Sequence, residues 1–178
     1  MMDQDYWVFG YGSLMWRPGF AFAERRRARL NGYRRAFCIY SVHHRGTYER
    51  PGLVLGLVSG GSVTGAAYRV AEADWAATYA YLMEREQPTE TYVERHIHVK
   101  LVDGRKVEAL TFLSDRSHPQ WAGPLTLEVQ ARLIAGASGL SGPNADYLRD
   151  LIGHLGDEGI RDDFMNQLLA RVDALVAL

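Results

Sequence analysis

The hydrophobic positions of this chain change period part-way along it. Tyr6 to Tyr11 is rich in aromatic and β-branched residues, the pattern of a first strand, with Gly10 and Gly12 where it ends. Pro18 to Gly32 carries no apolar period and reads as a loop with a basic segment. Arg35 to Tyr40 returns to strand pattern through Phe37, Cys38, Ile39 and Tyr40. Leu53–Val58 and Val63–Val70 read as two strands joined by Ser59-Gly60-Gly61-Ser62, a hairpin-turn signal. Ala71 to Gln87 then switches to helical spacing and stops at Pro88. Tyr92–Val102 and Lys106–Leu113 predict a second hairpin across Asp103-Gly104. Beyond Pro119 the period is helical: Leu125–Ala137, then Asn144–Leu155 with Asn144 as N-cap after Pro143. A last stripe runs through Ile160, Phe164, Leu168, Val172 and Leu175. Six or so strands with one helix among them, followed by helices, predict an α+β fold. The expected architecture is a mostly antiparallel sheet or small barrel with helices packed outside, in a single domain over residues 1–178.

Composition narrows the function classes. The chain has 178 residues, 47% of them hydrophobic and 23% charged, which suits one globular domain with a sizeable core. A net charge of −1 gives no broad basic field for nucleic acid. The cluster Arg25, Arg26, Arg27, Arg29, Arg34 and Arg35 reads either as a solvated face or as a polyanion site. Cys38 is the one cysteine, so no disulfide framework or cysteine zinc site is expected. The short acidic N-terminus is unlike a signal peptide, and no apolar run approaches the ~20 residues of a membrane span. The expected setting is therefore a reducing cytoplasm, with a small molecule as partner and no nucleic acid or membrane.

Two features carry candidate chemistry. In Gly10-Tyr11-Gly12-Ser13-Leu14-Met15-Trp16, an apolar strand runs into a glycine turn. The N–H groups of such a turn can face an anion or a developing oxyanion; an ordinary turn between strands is the alternative. It is not a dinucleotide loop, because the third glycine and a following helix are missing and Pro18 disfavours helix at Arg17. The second feature is Glu86. Advancing roughly 100° per residue, Tyr79, Leu82 and Glu86 fall within about 40° of Trp75, while Glu84 lies opposite. One carboxylate thus sits on the apolar stripe at a helix C-terminus, where burial and the helix dipole raise its pKa. That suits a group that both takes and gives a proton near neutral pH. The alternative is a helix-end glutamate paired with Arg85 or Arg95.

Other residues point less sharply. His96 and His98 share one face of a predicted strand and could begin a metal site, or be polar strand positions. His43 and His44 precede Arg45-Gly46 in a loop, suited to a substrate contact or a turn. Ser13 lacks the Gly-x-Ser-x-Gly setting of a nucleophile. Tyr147 opens onto a cleft or packs into the core.

Several segments together resemble the ChaC-type, glutathione-specific γ-glutamylcyclotransferases. Phe9-Gly10-Tyr11-Gly12-Ser13-Leu14-Met15-Trp16 is similar to the family's opening signature. Then follow, in family order, Ser41 to Gly46, Pro51 to Val54, Gly65 to Arg69, Arg85-Glu86 with Tyr92, and Gly139 to Leu148. His43 stands where Asp is common, and Glu90 where a glycine is usual. The resemblance implies a small closed or nearly closed β-barrel with flanking helices. It implies conversion of glutathione to 5-oxoproline and Cys-Gly by attack of the γ-glutamyl α-amine on its own γ-carbonyl, with no metal or organic cofactor. In that reading Glu86 is catalytic, and Tyr11, Gly12, Ser13, Leu14, Arg45 and Tyr147 bind substrate. A cyclotransferase for other γ-glutamyl amines or amino acids, and a non-catalytic binding protein on the same fold, are the alternatives.

Overall fold

A computed structural model describes residues 5–86 and 91–178. The elements, in chain order, are β1 (Tyr6–Gly10), α1 (Ser13–Trp16), β2 (Glu24–Ser41), β3 (Gly52–Val70), α2 (Glu72–Glu86), β4 (Tyr92–Leu101) and β5 (Lys106–Ser114). They continue as α3 (Leu127–Gly136), β6 (Ser138–Gly139), β7 (Gly142–Pro143), α4 (Asn144–Asp157) and α5 (Asp163–Val176). The sheet is a closed barrel in the order β1-β3-β2-β4-β5, with β6-β7 a separate two-stranded ladder. This is the expected α+β barrel with helices. Its pairing is antiparallel at β1–β3, β2–β4 and β4–β5, and closes with a parallel pair at Val8–Leu110. The expected helix end at Gln87, its stop at Pro88, and Glu90 lie outside the described residues.

The chain divides into two compact units: Met1–Arg35 with Ser59–His118, and Ala36–Val58 with Pro119–Leu178. In the first, Val8, Leu14, Val70, Leu82, Leu110 and Phe112 form a buried cluster. Trp75, Tyr79 and Met83 of α2 pack on it. This is the apolar stripe read from the sequence, and Tyr6 stacks on Trp75 with ring centroids 4.7 Å apart. Tyr79 adds a polar latch, donating its hydroxyl to the Glu94 carboxylate of β4 at 2.7 and 2.9 Å. In the second unit α3, α4 and α5 bury Ala131, Ile134, Leu148, Leu151, Leu155, Met165, Leu168 and Val172.

Four local expectations are corrected. The basic segment is not a loop: β2 begins at Glu24, and within it buried Ala28 and Leu30 alternate with exposed Arg27, Arg29 and Asn31 at period two. Arg25 instead turns toward the Tyr68 hydroxyl and the Met15 carbonyl, so the cluster is not one solvated face. The Gly60-Gly61 pair is not a hairpin turn. Both residues have positive φ, 99° and 71°, yet β3 continues through them as one strand of 19 residues. Glycine lets a long strand bend here as readily as it lets one reverse. A single turn of helix, α1, does follow the Gly12 loop, capped by the Gly12 carbonyl accepting from Met15 N–H at 2.9 Å. Finally, Pro143 is the N-cap of α4; Asn144 is its first helical residue and is fully buried.

Candidate functional site

The Gly12 turn is held from beneath. The fully buried Tyr68 places its hydroxyl 2.9 Å from the Leu14 carbonyl and 2.7 Å from that of Met15. Buried Arg35 donates to the Tyr11 carbonyl at 2.8 Å and to the Thr64 carbonyl. Tyr11, expected to line a cleft, is itself buried, and its hydroxyl donates to the Phe112 carbonyl at 2.6 Å. Carbonyls of the turn are thus engaged on the buried side. The first N–H groups of a helix have no partner within it, so those of Ser13 and Leu14 open the short helix as donors.

Glu86 ends α2 in the same unit. Its side chain is half-buried, and burial pushes its carboxyl above the ordinary range; the neighbouring Arg85 guanidinium pulls it back toward that range. Glu84, on the other face, is exposed. Arg85 reaches across to the turn, donating to Ser13 Oγ at 2.8 Å and to the carbonyls of Arg17 and Pro18 at 2.6 and 3.2 Å. The structure therefore brings the turn and the end of α2 together. Arg95, the other proposed partner of Glu86, is bound to the Glu94 carbonyl at 2.8 Å.

In the second unit a loop, a strand and a helix start are knitted together. Asn144 presents its amide to the backbone of Leu53: Oδ1 accepts from Leu53 N–H and Nδ2 donates to Leu53 C=O, both at 2.8 Å. Three residues on, the Tyr147 hydroxyl accepts from Leu55 N–H at 3.3 Å, and its ring meets Phe37 edge-on. Arg45 lies over that ring, 5.6 Å from its centroid, and donates to the Pro143 carbonyl at 3.2 Å. Leu140 and Ser141, at the tip of the β6–β7 ladder, donate their N–H groups to the carbonyls of His43 and His44. A Cβ on Gly52 would lie 2.3 Å from the Arg45 carbonyl oxygen and 2.7 Å from Asn144 Oδ1, so only glycine allows this approach. Segments separated widely in sequence therefore form one structural cluster around Arg45 and Tyr147.

Residues 6–175 match the profile of the ChaC-like proteins. The chain belongs to this family. A family relative from Escherichia coli (strain K12), named glutathione-specific gamma-glutamylcyclotransferase, is 42% identical over 96% of this chain and 74% of its own length. One from Homo sapiens, named glutathione-specific gamma-glutamylcyclotransferase 1, is 34% identical over 82% of this chain and 67% of its own. The fold is also that of a yeast γ-glutamyl cyclotransferase crystal structure, with a TM-score of 0.83 at 23% identity, covering 97% of this chain and 100% of that one.

The family-like motifs map onto the two clusters: the opening signature, Gly65–Arg69 and Arg85-Glu86 in the first unit, the rest in the second. His96 and His98 are absent from both. They are exposed on β4, facing Glu108 at 3.7 and 3.9 Å, and among the described residues no group of three His, Cys, Asp or Glu is arranged to hold a metal ion. His44 contacts Ser141 Oγ through Nδ1 at 3.0 Å, and His43 stacks edge-on with Tyr48, which fits the turn role. The sequence does not reveal the roles of Tyr68 and Arg35 or the reach of Arg85 to Ser13, Arg17 and Pro18, because these contacts join residues far apart along the chain. Asn144 has the residue type of a cap, but its side chain serves the backbone of Leu53. Among the described residues no helix is long and apolar enough to cross a membrane.

Proposed function

We propose that this protein is a glutathione-specific γ-glutamylcyclotransferase in which Glu86 moves the proton. The observation that carries the reading is a half-buried carboxyl, raised in pKa, at the end of the helix that Arg85 ties to the Gly12 turn. The reaction forms a bond between the substrate's α-nitrogen and its γ-carbonyl carbon, closing a five-membered ring. It breaks the amide bond to the cysteine nitrogen. Glu86 as carboxylate takes a proton from the α-ammonium and as carboxylic acid gives it to the departing nitrogen; the second proton lost by the attacking nitrogen as it becomes the lactam N–H leaves with the amine, which departs as its ammonium. The products are 5-oxoproline and Cys-Gly, with no water consumed and no metal or organic cofactor called for. A carboxyl of raised pKa serves both halves better than an ordinary one, because it is basic enough to accept and acidic enough to donate near pH 7.

The amides of Gly12, Ser13 and Leu14 hold either the glutamyl carboxylate or the tetrahedral oxyanion. The engaged carbonyls beneath them support this reading, since a turn fixed by its acceptors presents its donors without rearrangement. Tyr11 contributes by anchoring the turn. Arg45 and Tyr147 are proposed as further substrate contacts, a cation and a phenol on one rigid cluster. Folding the substrate into attacking geometry supplies much of the acceleration, so positioning matters as much as proton transfer. The family match over residues 6–175 supports treating 1–178 as one functional domain. Cys38, the one cysteine of the chain, is buried, which fits a reducing cytoplasm, where glutathione is the reduced thiol.

The test is to incubate the purified protein with glutathione, γ-glutamyl amino acids and N-acetyl-glutathione. Release of 5-oxoproline and Cys-Gly from glutathione is expected. The N-acetylated peptide, which lacks a nucleophilic amine, should be inert. Preference for a γ-glutamyl amino acid would move the specificity; cleavage of the N-acetylated peptide would replace cyclisation with ordinary amide hydrolysis.

A further inference from the structure

We propose that Arg85 is a positioning residue for this reaction: its guanidinium clamps both ends of the Ser13–Pro18 turn to the last turn of α2, and so sets where the turn's amides stand. The proposal rests on the reading that the turn and Glu86 work together.

The geometry is that of a fork. Nη2 donates to Ser13 Oγ at the start of the turn, 2.8 Å away. Nη1 serves its far end, at the Arg17 and Pro18 carbonyls, 2.6 and 3.2 Å away. The same nitrogen lies 3.1 Å from the Tyr81 hydroxyl, one helical turn back on α2. That hydroxyl occupies the space over Gly19, where a Cβ would be 2.0 Å from it. One planar cation thus ties the start of the turn, its end and its own helix. Lysine, a point charge on a flexible stem, cannot span these sites at once. Tyr68 and Arg35 hold the turn from its buried side, and Arg85 holds it from α2, so the carbonyls are taken from two directions.

Arg85 also stands next to Glu86 in sequence, and its charge pulls the Glu86 carboxyl down against the effect of burial. Among the described residues, the other charged side chains at this end of α2 and around the turn include exposed Glu84 and Arg17, with Arg25 and Arg35 on the Met15 and Tyr11 carbonyls. Removing the guanidinium therefore has two separable effects: it releases the turn, and it lets the Glu86 carboxyl rise further. Replacing it with lysine keeps the charge and loses the fork.

The experiment compares wild type, Arg85→Gln and Arg85→Lys by steady-state kinetics on glutathione, and by a ¹³C-carboxyl NMR titration of Glu86. For Arg85→Gln, kcat/KM should fall about tenfold or more, the worth of charge-assisted hydrogen bonds lost from a positioned loop, and the Glu86 midpoint should move up. Arg85→Lys should keep the Glu86 midpoint near wild type yet recover kcat/KM only in part. A merely structural arginine would not split the two readouts in this way. Wild-type kcat/KM in either variant, or a Glu86 midpoint that stays put in Arg85→Gln, overturns the proposal. Should Arg85→Gln fail to fold by circular dichroism, Arg85→Lys decides on kcat/KM alone. Failure of wild type to release 5-oxoproline counts against the function, and the Glu86 titration then still judges Arg85.

Discussion

Asn144 commits both polar atoms of its side chain to the backbone of one residue, Leu53, and its removal has a calculable cost. The residue is 0% exposed, and so is Leu53, the backbone it serves. Both of its bonds are short and buried, with Leu53 N–H donating to Oδ1 and Nδ2 donating to Leu53 C=O. Asn144→Ala deletes both partners and leaves a buried N–H and a buried C=O without them. Each orphan costs about 1–3 kcal/mol, so the substitution should cost about 2–6 kcal/mol. For a chain of this size each kcal/mol lowers Tm by about 2–4 °C, which gives a drop on the order of 10 °C. Asn144→Asp refines the test. It keeps an acceptor for Leu53 N–H but turns a second, protonless oxygen toward Leu53 C=O. At neutral pH it should be at least as damaging as alanine, and it should recover in acid, where the protonated carboxyl can donate again. Differential scanning calorimetry, or urea unfolding with matched m-values, measures both. A loss under about 1 kcal/mol for Asn144→Ala would mean that water or a shifted backbone satisfies Leu53, and would refute the reasoning. Since Leu53 and Leu55 hold Asn144 and Tyr147 on one helical turn, the same variant should also weaken substrate binding if Tyr147 contacts substrate.

Glu86→Gln should lower kcat by at least ~100-fold, the low end for a lost acid–base group, while Glu84→Gln does little; near-wild-type turnover by Glu86→Gln would remove it from the mechanism. Its stability should move the other way: burial disfavours the ionised form, so wild type and Glu86→Gln should melt alike at about pH 4 or below, and the glutamine variant should melt higher above the folded-state pKa. A glutamine variant that melts lower at pH 8 would show that ionised Glu86 stabilises the fold. Ser13→Ala loses one Arg85 contact but keeps its N–H, so it should cost less than about tenfold in kcat/KM. Gly10→Ala should cost more, because its Cβ would stand 2.7 Å from Leu14 Cβ and push the turn aside; an inactive Ser13→Ala with a trapped acyl-enzyme in the mass spectrum would instead make Ser13 a nucleophile. Exhaustive chelation and the double variant His96→Gln, His98→Gln should both leave activity near normal, since ring closure with one carboxyl and backbone donors needs no Lewis acid; recovery of chelated enzyme by zinc would contradict this.

Local periodicity carried much of the fold. The β1 run, the Asp103-Gly104 hairpin and the amphipathic α2 were legible because each is specified by neighbours within a few positions. Glu86 was legible for the same reason: a carboxylate on an apolar stripe is visible as a break in a helical period. The ordered motifs were enough for the family. Tertiary structure decided the rest. Outward-pointing arginines hid the first half of β2, because only Ala28 and Leu30 report its buried face. A Gly-Gly pair specifies permissive φ angles but not whether the strand bends or reverses; the Tyr6–Gly10 pairing with Ala66–Val70 draws β3 onward to its partner. Asn144 was legible as a residue that satisfies orphan backbone groups. Which groups it satisfies, those of Leu53 some 91 positions away rather than its own helix, depends on what packs against it. The same holds for Arg85, 72 positions from Ser13. A side chain's chemistry is written in its residue type; the partner it meets across the fold is chosen by burial, which takes water away as the alternative partner.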